Sequence, residues 1–379
     1  MFGSQTTQPY PGYGTVQHPV APRMSTAARW VTWVSWGHFA VMWGLIALIH
    51  GVSENWWLGT TVVYLPRGPW VIPALILIPT SVGWGWKPFV INLAAGLLAL
   101  GPVMNWQSGG FFRPTVDREA YRLTVVSCNV QSFRPKFDLV VNELNRIDPD
   151  VVLFQEAFED HALLATVFDG WNVHRVDEYM VASKLPLKFI STTFVPGFER
   201  VTAVRYEVET PLGPVAVFNV HQTSPRRSLT QLKPWSPIIG SAIETVEQET
   251  TLRDVEAMRT RVFTAPEGLT QPVVIAGDFN MPNDSSLFRK HWGSLQDAYA
   301  LSAVGYGYTS PCSEGKLWPG NTPWAQVDHI LASDDWQVER CWIGKSAGSD
   351  HRLIAAQLRL PQRAAQPDIK RVQAPSGAP

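Results

Sequence analysis

Cysteine, net charge and repetition are all scarce in this chain. Three cysteines occur in 379 residues, Cys128, Cys312 and Cys341, and none sits at the close paired spacing of a metal motif. That excludes a disulfide framework and a zinc site. The thiols are expected to be buried, with a Cys312–Cys341 bridge as the alternative if they face an oxidising compartment. The formal net charge is -1 and the pI about 6.8. These values argue against a surface dominated by nucleic-acid electrostatics, although a local basic groove fits inside a balanced total. No internal repeat at a fixed period is present, which leaves out a repeat architecture.

Charge is also missing locally. The run WVTWVSWGHFAVMWGLIALI, residues 30–49, carries no Asp, Glu, Lys or Arg. Roughly 20 apolar residues at 1.5 Å rise match a hydrocarbon core of about 30 Å. Further apolar stretches cover residues 70–86 and 88–106, separated by Lys87 and its neighbours. Residues 29–108 therefore read as a membrane region with about three transmembrane helices, the middle one weakened by Pro73 and Pro79. A cleaved signal peptide fits less well, because the tail before it is long, no A-x-A site follows and more apolar segments come after. A soluble helical core would carry a charged outer face.

Trp30, Trp56, Trp57, Trp70, Trp86 and Trp106 fall near the span ends, where amphipathic rings prefer to sit. An ionisable group inside a span suggests function by default; with no partner visible, His38 is read as a neutral packed histidine. Arg23, Arg29 and Lys87 on one side, against Arg67 on the other, favour a cytoplasmic N-terminus. Three crossings then send the rest of the chain outside. Residues 1–28 and 361–379 read as disordered tails.

After Gly109 the texture changes to short β-rich runs: LTVVSCNV (123–130), DVVLFQEA (150–157), VAVFNVH (215–221), PVVIAGDFN (272–280) and VDHILAS (327–333). Apolar stretches of this length without a helical period are strands buried on both faces. Between them, FDLVVNELNRI (137–147) has a helical apolar side and residues 242–262 alternate charge like a solvated helix. The expected fold is a layered α/β sandwich, two packed central β-sheets flanked by helices, over residues 121–360, preceded by the transmembrane helices.

The chemistry lies where these strands end. Asn129 follows VVSC, Glu156 follows VVLFQ, His221 follows VFNV, and Asp278 and Asn280 follow VVIAG. Asp328 sits in QVDHI, and Asp350 with His351 in GSDHRL. One such residue would be a turn or cap; a whole set of strands ending on Asn, Asp, Glu or His is a costly accident in an ordinary core.

In type and order these residues resemble the endonuclease/exonuclease/phosphatase superfamily, with GDFN at 277–280 and SDH at 349–351 as its most specific elements. The three apolar spans resemble its membrane-bound bacterial members. The resemblance implies a phosphoester hydrolase, a nuclease or a phosphodiesterase/phosphatase, and the residues agree. Such hydrolysis needs an activated water, neutralised phosphoryl oxygens and help for the departing alkoxide. Carboxylates suit a hard cation, Mg²⁺ or Mn²⁺, with Glu156 as first ligand, Asn129 beside it and Asp350 a further candidate.

Carried over from the family, Asp278 would orient or deprotonate water and Asn280 would hold the phosphate. His351, oriented by Asp328, would contact the phosphate, and His221 would stand where other members carry tyrosine. The chain departs from the family's Ser-Arg with Ser183–Lys184, which keeps charge but loses the planar fork. Lys184, Arg226 and Arg227 are candidate phosphate-binding residues, and Lys233 joins the two arginines as a candidate rim. Trp235, Trp318 and Trp324 are candidates for stacking on bases or dipping into lipid, each weak evidence in a chain with 17 tryptophans. The substrate stays open between nucleic acid, a phospholipid headgroup (a sphingomyelinase type of activity) and small phosphates. A catalytically silent phosphate-binding module is the remaining alternative. Membrane lipid is the expected partner of the N-terminal helices, and no obligate protein partner is evident.

Overall fold

In the computed structural model the β-rich runs form the centres of two six-stranded sheets. Residues 25–362 are described, apart from 113–114, 134–135, 196–199, 234–238, 313–319 and 346–347. Both expected tails therefore lie almost wholly outside the described residues, as do Trp235 and Trp318.

From edge to edge, the first sheet comprises β11 (Gln337–Ile343), β12 (Ile354–Leu360), β1 (Tyr121–Asn129), β2 (Val151–Gln155), β4 (Tyr179–Ser183) and β3 (Asn172–Val176). The second comprises β5 (Leu187–Phe194), β6 (Val201–Thr210), β7 (Gly213–His221), β8 (Val273–Asp278), β10 (Asp328–Ala332) and β9 (Gln296–Asp297). Each sheet has a parallel central pair, β1 with β2 and β7 with β8. Parallel neighbours need a crossover, supplied by α5 (Phe137–Ile147) and α8 (Ile239–Thr264).

The sheets pack face to face. Leu123, Val125 and Leu153 meet Val204, Val217 and Ala276 in one core. Phe137, Val140 and Leu144 of α5 cover the outer face of the first sheet. Ala257 of α8 covers the second, with Phe288 and Trp292 of α9 (Ser286–Trp292). Short helices α6 (Ala162–Val167), α7 (Arg226–Leu229) and α10 (Ala298–Ser302) complete the layered α/β sandwich. All three cysteines are free and buried.

Sheet register sets up the chemistry. Across the parallel pair His221 lies opposite Asp278, and across the antiparallel β8–β10 pair Asp328 lies opposite Asp278. This approach explains the glycine of GDFN: a Cβ on Gly277, at φ 155°, would lie 1.8 Å from the Val220 carbonyl oxygen. Gly277→Ala is expected to cost on the order of 1–3 kcal/mol through overpacking, read as a fall in Tm against wild type.

The helical module before the sandwich consists of α1 (Thr26–Ile46), α2 (Trp57–Tyr64), α3 (Ile72–Ser81) and α4 (Trp86–Leu98). Helices α1 and α4 run side by side in the same direction: Asn92 donates to Ser35 at 2.9 Å, and further along His50 meets the Pro102 carbonyl at 3.0 Å. Gly96 admits α3 against Ala74 and Ile78. His38 is buried beside Asn92.

Among the described residues, two helical stretches, Thr26–Asn55 and Trp86–Val103, are long and apolar enough to cross a membrane. Trp57–Tyr64 and Gly68–Trp84 meet at 85° and make a third span only as a bent pair. Pro66, Gly68 and Pro69 stand at that break, where missing N–H donors and glycine interrupt a helix. Helix α2, not expected from the sequence, occupies what reads as a loop.

The module and the sandwich are joined through polar contacts. Glu54 accepts from the Ser286 hydroxyl (3.0 Å) and the Leu287 amide (2.9 Å), so a carboxylate sits on the N-terminal end of α9. The Tyr308 hydroxyl donates to the Met104 carbonyl at 2.6 Å, and Gln107 bridges to Gly305. Arg67 forms a buried ion pair with Asp284. These contacts correct the reading of α8 as a solvated helix. Its Arg253 is fully buried and donates to the Tyr64 hydroxyl (2.7 Å) and the Asn280 carbonyl (2.8 Å).

Candidate active site

Asp278 is the point of convergence. Its Oδ2 lies 3.2 Å from Asn129 Nδ2, 3.6 Å from His351 Nε2 and 3.7 Å from His221 Nε2. Three strands and one loop deliver these groups: β1, β7 and β8 end on the same rim of the sandwich, and His351 lies in the loop before β12. Asn129 also donates to Glu156 at 2.9 Å and accepts from the Gln131 amide at 3.1 Å. Glu156 and Asn280 both take left-handed backbone conformations, φ 54° and 50°. Asn tolerates that region, whereas Glu seldom adopts it, and strain of this kind persists where surrounding structure enforces it.

Two histidines are each backed by a buried carboxylate. His351 Nδ1 lies 2.8 Å from Asp328 Oδ2, and its Nε2 is 3.1 Å from the Ser310 hydroxyl. Burial alone would lower the pKa of His351; the charges of Asp328 and Asp278 outweigh it and push the imidazole to about 10. His221 Nδ1 lies 3.2 Å from Glu178 Oε2. Burial opposes charge there too, but Glu178 and Asp278 raise the pKa of His221 overall. Glu178 is held below the usual carboxylate range: burial works the other way, and His221 and Arg200 prevail. Asp278 is pushed up to about 6, first by burial and then by Asp328, against the pull of the two histidines.

These groups line a pocket of about 450 Å³ that includes Glu156, His221, Asp278, Asn280, Asp350 and His351. Arg226 and Arg227 stand on its rim, with Arg226 Nη1 3.9 Å from Asp350 Oδ2. Lys233 is exposed and is not among the lining residues.

Lys184 belongs elsewhere. Strand β4 is antiparallel to β2, pairing Ser183 with Val151, so Lys184 lies at the opposite end of the sheet from Glu156. There it pairs with Asp148 and stacks on Trp171. Asn129 lies beside Glu156 as expected, with its amide nitrogen facing Glu156 and Asp278.

Glu178, Arg200, Gln222 and Ser310 belong to the site but carry no signal in the sequence. Glu178 sits in an Asp-Glu hairpin that reads as a turn, and Arg200 donates to the His221 carbonyl. Gln222 is buried in the pocket wall with its side-chain amide unpaired among the described residues.

A two-sheet sandwich with carboxylates, amides and histidines gathered on one rim defines a class of phosphoester-processing protein. The model of the Endonuclease/Exonuclease/phosphatase family matches residues 126–351, more than half of the chain, and the chain belongs to that family. It is a phosphoesterase of that superfamily. No curated protein matches it.

Similar solved structures include an endonuclease/exonuclease/phosphatase family protein from Bacteroides thetaiotaomicron, 14% identical over 65% of this chain and 98% of that one, TM-score 0.44. A mannosyl-6-phosphatase from the same species is 14% identical over 62% and 99%, TM-score 0.42. A Neisseria 3' phosphatase bound to product DNA hairpin is 18% identical over 62% and 98%, TM-score 0.43.

Proposed function

We propose that this chain is a membrane-anchored, divalent-metal-dependent phosphoester hydrolase whose catalytic domain, residues 121–360, stands outside the cytoplasm. The observation that carries the catalytic reading is the convergence of Asn129, His221 and His351 on the Asp278 carboxylate, beside Glu156. A buried carboxylate between two carboxylate-backed histidines favours a catalytic reading over a silent binding module.

The donor set fits a hard cation. Glu156 and Asp350 both offer carboxylate oxygens to the pocket, the chemistry that Mg²⁺ or Mn²⁺ takes. Asp278, Asp328 and His351 also approach closely enough to share an ion. However, Asp328 holds Nδ1 of His351 and keeps the ring protonated, and an imidazolium has no lone pair to give a metal, which argues against that triad as the ligand set. Glu156 and Asp350 would therefore hold the metal, with Asn129 orienting Glu156. When bound, the ion neutralises charge on the phosphoryl oxygens and assists the departing alkoxide.

Asp278 takes the proton of the attacking water. His351, kept protonated by Asp328, donates to a phosphoryl oxygen, and His221, backed by Glu178, donates to the phosphate or leaving group. Asn280 spends one amide hydrogen on the Gln222 carbonyl at 2.8 Å and has a second for the phosphate.

The test is a panel of plasmid DNA, single-stranded RNA, sphingomyelin, phosphoinositides and a generic aryl phosphodiester. Chelation is expected to abolish hydrolysis and Mg²⁺ or Mn²⁺ to restore it. Glu156→Gln should weaken metal affinity and activity together, since an amide lacks the charge a hard cation requires. Wild-type activity of that variant at limiting Mg²⁺ would remove Glu156 as a ligand.

The proposed orientation is supported by where the module touches the sandwich. Glu54, Arg67 and Met104 all contact the catalytic domain, so the ends of α1 and α4 and the loop after α2 share its side. The crossing away from that side is assigned to Gly68–Trp84, which by length and composition passes as a span only together with Trp57–Tyr64, and α4 comes back. Three crossings leave the N-terminus, with Arg29 and Lys87, opposite the active site. Fusions after Pro379 are expected to give active alkaline phosphatase and a dark green fluorescent protein. The reverse pattern would put the domain in the cytoplasm.

A further inference from the structure

A second pocket, of about 400 Å³, opens beside the catalytic one, and the two share Ser224, Arg226, Thr230, Asn280 and Ser310 in their walls. Its lining is different in character. Leu65 comes from the helical module, Leu229 and Leu232 from the segment after β7, and Trp324, Ala325 and Val327 from the segment leading into β10. Its two larger polar rings are already satisfied. The Trp324 indole N–H donates to the Tyr64 carbonyl at 3.1 Å. The Tyr64 hydroxyl donates to Glu54 at 2.6 Å and accepts from Arg253 at 2.7 Å. Both rings therefore offer the pocket mainly apolar surface. The wall formed by Tyr64 and Leu65 is the end of α2, immediately before Arg67, on the side of the module that meets the sandwich.

We propose that this pocket seats the hydrocarbon part of a lipid phosphoester whose phosphate lies in the catalytic pocket, an assignment that rests on the hydrolase reading above. Arg226 and Asn280 stand at the junction of the two pockets, where the phosphate ends and the apolar group begins. Beyond it the walls carry no side-chain carboxylate or ammonium among the described residues. A nucleobase could stack on Trp324, but its edge would find few free partners, since both rings commit their polar groups to the protein. A chain already at the membrane surface reaches the pocket past Leu65, which is 52% exposed.

The experiment uses the full-length protein in nanodiscs with Mn²⁺. Alkyl phosphates from methyl to hexyl are titrated calorimetrically, and hydrolysis of a generic aryl phosphodiester is measured on the same sample. Burial of each methylene is expected to tighten binding up to about fourfold. Leu229→Asp and, independently, Leu65→Asp at an exposed position are expected to flatten that dependence on chain length. Active protein with a flat wild-type series would overturn the pocket's assignment and leave the hydrolase standing. So would a slope that survives both substitutions, or a dinucleotide that binds more tightly than hexyl phosphate. Absence of aryl phosphodiester hydrolysis would overturn the hydrolase reading and the substrate class with it.

Discussion

Asp278→Asn is expected to slow phosphoester hydrolysis by on the order of 10²-fold or more while leaving Mn²⁺ affinity within a few-fold of wild type. The substitution is nearly isosteric, so it separates charge from shape. In wild type, Asp278 Oδ2 accepts from Asn129 and faces the Nε2 atoms of both His221 and His351. An amide NH₂ in that place sets a donor against donors. Turned the other way, it sets the NH₂ against the Asn280 amide, whose N–H donates to Oδ1 at 2.9 Å. Neither orientation restores a group able to take a proton. Rate and metal affinity are measured on the same preparation. A near-normal rate at neutral pH would remove Asp278 as the base, and parallel loss of rate and metal affinity would make it a ligand instead.

The strands that carry the site are the ones most legible in the sequence. Strands β1, β2, β7, β8 and β10 are largely buried on both faces, so they read as apolar runs; the first four end on a polar residue and β10 begins on one. The outlying strands β3 and β5 are half exposed and mix Lys, His, Arg and Thr with their apolar residues, which leaves no comparable signal. The site residues missed in the sequence act through tertiary position. Glu178 resembles a turn residue until β4 runs back along β2 and brings it to His221. The misjudged Lys184 has the same cause, since antiparallel pairing carries the end of β4 away from the rim. Arg253 lies in a charge-rich helix, and only the arrival of Tyr64 and Glu54 from the helical module explains its burial. No local pattern records a contact across such a separation.

The same dependence on distant partners makes the buried Arg67–Asp284 pair a large stability lever at the junction. Asp284→Ala is expected to lower the apparent Tm of the full-length protein by on the order of 10 °C, because removing one member of a buried pair typically costs about 3–5 kcal/mol. Both side chains are only 5% exposed. In wild type the guanidinium of Arg67 donates to Asp284, to the Val63 carbonyl at 2.8 Å and to the Val103 carbonyl at 3.2 Å, so without Asp284 it keeps two neutral acceptors and no counter-charge. Replacing both partners by apolar residues, Arg67→Met with Asp284→Leu, is expected to recover most of the loss, since desolvation offsets much of what a buried pair contributes. A Tm within about 2 °C of wild type for Asp284→Ala would mean that water reaches Arg67 and that the junction opens in solution. Asp284 shares a loop with Asn280, and Arg67 follows Tyr64 and Leu65. An open junction would therefore separate the catalytic rim from the apolar wall beside it, and the dependence of binding on alkyl chain length should fall together with the Tm.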